Sequence, residues 1–161
     1  MKNLGKIFEE NFRKSIPDND NILFYRFKDG TANWSGGYNQ NVRFQAKNVC
    51  DCMLFDGHFL YFVELKSHKG KSIPNDCIRT NQIEEMVKYS KKKNVICHLV
   101  VFFSDVERCF SIEINQLVHY INTSDRKSIP LDYFENYCTE IDVEKLKTNY
   151  RYGIVQWLNN I

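Results

Sequence analysis

Apolar positions change their period several times along this chain, and each change marks an element. Leu4, Ile7, Phe8 and Phe12 recur at helical spacing and predict a helix over residues 3–14, which Ser15-Ile16-Pro17 ends. Residues 22–28 read as a strand. Residues 29–47 then lose the pattern. Asp, Gly, Thr, Asn, Ser and Gln dominate there, with Trp34, Tyr38, Arg43, Phe44 and Lys47 scattered among them, which suggests a projecting, stalk-like loop or hairpin. Residues 49–66 return to two apolar runs on either side of Asp56-Gly57, a dipeptide suited to a type I′ hairpin turn. With Asp56 and Gly57 as the loop, Phe55 pairs with His58 and paired residue numbers sum to 113.

After a polar stretch, Asn81-Gln-Ile-Glu84 has the spacing of a capping box, and Ile83, Met86 and Val87 give the following helix an apolar face. Lys91, Lys92 and Lys93 crowd the end of that helix, where they favour its dipole. Val95–Phe103 is a continuous apolar run, as expected of a central strand covered on both faces. Residues 107–112 read as its hairpin neighbour and 115–121 as a short helix. Residues 128–160 are mixed, with Leu146, Tyr150, Ile154, Val155 and Leu158 fitting a closing strand or helix. All three prolines fall in Ser-Ile-Pro triplets, whose differing surroundings do not make a repeat. This order predicts an α/β fold, a mixed central sheet flanked by helices, in a single domain over 1–161.

Composition adds limits. The chain has 161 residues, 43% apolar and 14% aromatic, which excludes a disordered chain. Its net charge of +2 argues neither for nor against nucleic acid, so any basic surface must be local. There is no apolar run of signal-peptide or membrane-span length, so a cytoplasmic location without membrane contact is expected. The six cysteines lie mostly in apolar runs and read as reduced, buried thiols.

The hairpin carries the chemistry. In the register above Asp51 sits opposite Phe62 and diagonal to Glu64. Asp51, Glu64 and Lys66 emerge on one face, with diagonal backbones roughly 7–8 Å apart. A slip of one residue would turn Asp51 to the other face. Two carboxylates beside a lysine suit metal-assisted hydrolysis of a phosphodiester, or else form an ordinary surface ion pair. Glu9 and Glu10 flank the apolar stripe of the first helix, and helical geometry does not choose between them. Lys69, Lys71 and Arg79 are candidate phosphate contacts.

Four segments together resemble one family. Asp51-x12-Glu64-x-Lys66 looks like the active site of the PD-(D/E)xK nuclease superfamily. Gly5-Lys-Ile-Phe-Glu9 resembles the N-terminal helix of the RecU family of Holliday junction resolvases, with Glu9 matching its acid better than Glu10. Ile73-Pro74, then Asn81-Gln82-Ile-Glu-Glu-Met86, resembles the family's pattern opening the next helix, although Asn81 stands where a histidine is common. Arg126-Lys-Ser-Ile and the tail from Tyr150 to Leu158 resemble its C-terminal segment. Leu65 is larger than the usual residue inside E-x-K, and the family's long basic N-terminal extension is lacking.

The resemblance implies a restriction-endonuclease-like fold and a homodimeric endonuclease dependent on Mg2+, with Mn2+ as a substitute. It implies symmetric paired nicks in four-way DNA junctions and service to recombination and repair proteins. Asp51 and Glu64 would hold the metal, Lys66, Glu9 and Gln82 would complete the catalytic set, and residues 29–47 would be a stalk whose Trp34, Tyr38, Arg43, Phe44 and Lys47 touch the junction. The alternatives are a nicking or flap endonuclease on the same core, or a module that binds branched DNA without cutting.

Overall fold

The long apolar runs become the middle of a sheet. In the computed structural model, residues 3–18, 21–27, 30–33, 43–46 and 48–161 are described, the backbone alone at 30–33 and 43–46. The strands in chain order are β1 (Leu23–Arg26), β2 (Gly30–Asn33), β3 (Arg43–Ala46), β4 (Cys52–Phe55), β5 (Leu60–His68), β6 (Ser72–Pro74), β7 (Val95–Phe103), β8 (Arg108–Glu113), β9 (Ser128–Pro130), β10 (Thr139–Ile141), β11 (Val143–Lys145) and β12 (Tyr150–Tyr152). The helices are α1 (Leu4–Ser15), α2 (Thr80–Ser90), α3 (Ile114–Thr123), α4 (Leu131–Tyr137) and α5 (Ile154–Asn159).

Six strands form the main sheet in the order β1-β4-β5-β7-β8-β10. Only β5 and β7 run parallel, because α2 carries the chain back between them; the other neighbours are antiparallel. Alternation splits the core into two layers. Phe62, Leu99, Val101, Phe103 and Phe110 face α2, α3 and α4. Tyr61, Val63, Leu65, Val100 and Phe102 face α1, α5 and β12. This is the mixed α/β architecture expected from the sequence pattern. Among the described residues no helix is long and apolar enough to cross a membrane.

Three expectations need correction. The β4–β5 register pairs Phe55 with Leu60 and Cys52 with Val63, so paired numbers sum to 115. The loop is four residues long because the Asp56 carboxylate accepts from the backbone N–H groups of His58 at 2.8 Å and Phe59 at 2.7 Å, and from the Tyr61 hydroxyl at 2.7 Å. The slip from 113 is two residues, which leaves Asp51 on the expected face. The Asn81–Glu84 capping box does not form: α2 begins at Thr80 with Arg79 as its N-cap and no side-chain cap. Cys50, Cys52, Cys97 and Cys109 are buried free thiols, whereas Cys77 is exposed on a short 3-10 turn.

The tail uses both of the forms its pattern allowed. It folds as β9, α4, β10, the β11–β12 ribbon and α5. Two of the three Ser-Ile-Pro triplets find each other, since β6 and β9 pair with Ile73 opposite Ile129. A proline in each strand limits that ribbon to two strands. Within the stretch 29–47, β2 and β3 pair as an antiparallel hairpin; Trp34, Tyr38 and Lys47 lie outside the described residues.

Phe103 is fully buried, edge-to-face with both Phe110 and Phe134. Phe103→Ala is expected to cost about 3–5 kcal/mol in chemical denaturation, because the surrounding rings cannot close the cavity.

Candidate active site

β5 is covered on both faces, yet Glu64 and Lys66 lie on the side that faces α2. Glu64 is 3% exposed. One of its oxygens lies 2.8 Å from the Lys66 ammonium, and the other accepts a hydrogen bond from Gln82 Nε2 at 3.0 Å. Gln82 comes from the first turn of α2 and is itself buried; its Oε1 has no partner among the described residues.

Asp51 stands one residue before β4. Its backbone carbonyl accepts from the Phe27 N–H at 3.0 Å, continuing the β1–β4 ladder. Its carboxylate then accepts from the Leu65 N–H at 2.8 Å, where the β4–β5 pairing has just ended. In the observed register Asp51 falls directly across from Glu64, not diagonal to it. Main-chain pairing therefore sets the two acids on neighbouring strands, with the Asp51 carboxylate fixed by a backbone N–H and the Glu64 carboxylate by Lys66 and Gln82.

The electrostatics follow from that closeness. Burial first, and the Asp51 charge second, push the Glu64 carboxyl up to about 7, against the pull of Lys66 and Arg79. A buried carboxyl pushed up by a second acid has the electrostatics of a site that a cation would relieve.

Among the described residues no three His, Cys, Asp or Glu side chains form a ready metal cluster. The donors present are two carboxylates and the unpartnered amide oxygen of Gln82. All are hard oxygens, and a magnesium site needs only a few of these beside water and phosphate. The residues therefore fit a hard divalent cation.

The structure separates the two helix acids that periodicity left equal. Glu10 is half exposed and pairs with Arg13 and Lys14 along its own helix, which pulls its carboxyl down to about 2, chiefly through the Arg13 hydrogen bond. Glu9 turns to the sheet and pairs with Arg26 of β1, whose partner in the ladder is Cys52. Burial, followed by the charges of Cys50, Asp51, Glu64 and Glu9, pushes the Cys52 thiol up, so all three acids lie within electrostatic reach of one buried sulfur. α1 is nevertheless on the opposite layer from α2. Glu64, Lys66 and Gln82 are joined by contacts, Asp51 is fixed across from Glu64 by the Leu65 N–H, and Glu9 lies in the other layer, paired with Arg26.

Lys69, Lys71 and Arg79 are exposed, Arg79 at the start of α2 near Glu64. Arg43 and Phe44 lie on β3, whose side chains fall outside the description. Sequence reasoning missed Arg26. Its only signal was a cation inside an otherwise apolar strand.

Residues 26–157 match the profile of the family described as Recombination protein U. The chain belongs to that family. It is also 31% identical, over 93% of its length and 82% of the relative's, to an uncharacterized SPbeta prophage-derived protein of Bacillus subtilis (strain 168). A further relative is the Holliday junction resolvase RecU of Streptococcus sanguinis (strain SK36), 24% identical over 58% of this chain and 46% of that one. Among solved structures the fold is similar to that of Hjc, a Holliday junction resolvase of Archaeoglobus fulgidus. The TM-score is 0.52 at 11% identity, over 84% of this chain and 95% of that chain. The family match holds Asp51, Glu64, Lys66 and Gln82, whereas Glu9 precedes it.

Glu64 gives a pH signature without any substrate. A carboxyl whose pKa rises on folding holds its proton more tightly in the native state. Its contribution is full below the ordinary value of 4.5 and is lost as pH climbs through about 7. Buried His98 acts in the opposite sense, since burial lowers it from 6.5 to about 4 and its contribution fades as pH falls through that range. Glu64→Gln is therefore expected to gain stability over the metal-free wild type as pH rises from about 5 to about 8, by on the order of 2–3 kcal/mol. Urea titrations of both proteins across that range measure the difference.

Proposed function

We propose that this chain is a metal-dependent DNA endonuclease that resolves four-way junctions by paired nicks, acting as a homodimer in recombination and repair. The observation that carries the reading is the buried Glu64 carboxylate held between Asp51 and Lys66 inside a domain of the Recombination protein U family. An ordinary surface ion pair would not sit 3% exposed under a helix. The names of the Streptococcus and Archaeoglobus proteins point to the same substrate.

Asp51 and Glu64 would hold Mg2+, or Mn2+ in its place, with Gln82 Oε1 turned to the cation or to its water. When bound, the cation supplies Lewis-acid polarisation of the scissile phosphate and acidifies a coordinated water. The chain's own part is placement. The Leu65 N–H fixes the Asp51 carboxylate, Gln82 fixes Glu64, and Lys66 places a positive charge where an attacking oxygen is oriented and the phosphorane charge builds. Glu9, held by Arg26, completes the acidic surround. Lys69, Lys71 and Arg79 supply phosphate affinity without reading bases, so the substrate is selected by shape. The hairpin within 29–47 is the stalk directed at the junction, with Trp34, Tyr38, Arg43, Phe44 and Lys47 as its contacts.

The test compares a labelled immobile junction with matched linear and flapped DNA, in magnesium and in EDTA. Paired, magnesium-dependent cuts confined to the junction are expected. Asp51→Asn is expected to lower cleavage at least about a thousandfold, on the scale of losing a major electrostatic group, while gel-shift affinity for the junction changes little. Normal cutting by this variant would remove Asp51 from the metal site; cutting of linear or flapped DNA instead would keep the chemistry and discard the junction.

A further inference from the structure

A cavity of about 300 Å³ lies between the end of α3 and α4, lined by none of the residues of the carboxylate site. Three of its lining residues are tyrosines whose rings follow one another. The centroids of Tyr120 and Tyr133 are 4.3 Å apart, and those of Tyr133 and Tyr137 are 5.1 Å apart. The first two rings are held at their hydroxyls. Tyr120 donates to the Ser128 carbonyl at 3.2 Å, and Tyr133 accepts from Gln116 Nε2 at 3.4 Å. Tyr137 ends α4 and is 67% exposed, the most exposed large apolar side chain among the described residues. One such ring alone would be ordinary surface. A fixed pair that ends in an open ring is a stacking platform whose outer face meets solvent.

The polar groups around the rings indicate what would stack there. Ser124, Arg126 and Asn136 border the cavity, with Asp132 as its acid. Arg126 and Lys127 are exposed just before β9, and Lys71 is exposed just before β6, the partner of β9. Main-chain bonds tie these segments together. The Leu131 N–H donates to the Lys71 carbonyl at 2.8 Å, and the Asn75 N–H to the Lys127 carbonyl at 3.0 Å. Three exposed cations thus stand against two exposed acids, Asp125 and Asp132. Cations beside open aromatic faces suit a ligand of flat rings joined by phosphates. A proline-rich peptide would use the rings and leave the cations without a role.

We infer that Tyr120, Tyr133 and Tyr137, with Arg126, form a binding platform for single-stranded DNA. The base of an unpaired nucleotide stacks on Tyr137, and its phosphate meets Arg126. This goes beyond the proposed junction nuclease, since it gives recognition of unpaired strand to a surface that shares no residue with the metal site or the stalk. The β6–β9 ribbon links the two surfaces, because β6 lies in the chain between Lys66 and Gln82.

The test is fluorescence anisotropy of the full chain with a short fluorescein-labelled oligothymidylate, in EDTA so that metal-dependent cutting does not enter the readout. Tyr137→Ala is expected to weaken binding at least about fivefold, the low end of the loss for one stacked base. Its affinity for a labelled duplex of the same length should change by less than about twofold. Tyr137→Phe, which keeps the ring, should bind as the wild type does. Arg126→Gln should weaken binding and make the slope of log affinity against log salt shallower by about 0.7, whereas Tyr137→Ala leaves that slope unchanged. Circular dichroism melts check the fold of each variant. A wild type that does not bind the oligothymidylate would overturn the inference. So would a smaller loss in Tyr137→Ala, an equal loss on duplex, or a Tyr137→Phe variant as weak as Tyr137→Ala. Tighter binding of a matched oligouridylate would overturn the assignment to DNA, and tighter binding of a labelled oligoproline would make the platform a peptide site instead. Junction cleavage is scored separately, so a wild type that cuts no junction would sink the resolvase reading and leave this platform standing.

Discussion

The structure depends on one costly placement, a carboxylate on the central strand under a helix. Glu64 could lower its energy by facing solvent, yet it lies on a strand whose neighbours Val63 and Leu65 are core residues. Lys66 and Gln82 make that placement tolerable. Even so, Glu64 ends with its proton held too tightly, against an acid that raises it further. A fold selected only for stability would remove one of the two acids. Keeping both acids favours function over stability, as the proposed binding of a divalent cation would require.

The main-chain scaffold explains why the carboxylates can be so close. Asp51 uses its carbonyl to extend the β1 ladder and its carboxylate to take the Leu65 N–H beyond the last β4 pair. The acid thus substitutes for a strand residue at the point where the sheet opens. α2 comes down on that opening with Gln82, while α1 brings Glu9 from the other layer, tied to Arg26. Three layers meet at one end of the sheet, which is where an extended phosphate backbone could be laid across them.

Much of this was legible from residues. The apolar run of β7 and the two apolar runs flanking Asp56-Gly57 placed the sheet, and the parity of Asp51, Glu64 and Lys66 survived a wrong loop length because the error was an even number of residues. The loop itself was misread because Asp56 acts as a side-chain cap for His58 and Phe59, and a dipeptide rule does not see that bond. The capping box on α2 failed because tertiary packing began the helix one residue before Asn81. The choice between Glu9 and Glu10 was beyond periodicity. It required Arg26, a residue on a strand distant in sequence. The pairing of two Ser-Ile-Pro triplets was equally invisible, since three-residue strands carry too little pattern to announce a partner.

The central claim is that Glu64 is kept uncomfortable for the sake of a cation, and carboxyl 13C NMR tests it directly. Titrated without metal, the Glu64 carboxyl should have its midpoint near 7, move down in Asp51→Asn, and move down again in the wild type when Mg2+ is added. A midpoint near the ordinary 4.5 that neither the substitution nor the metal displaces would contradict the account.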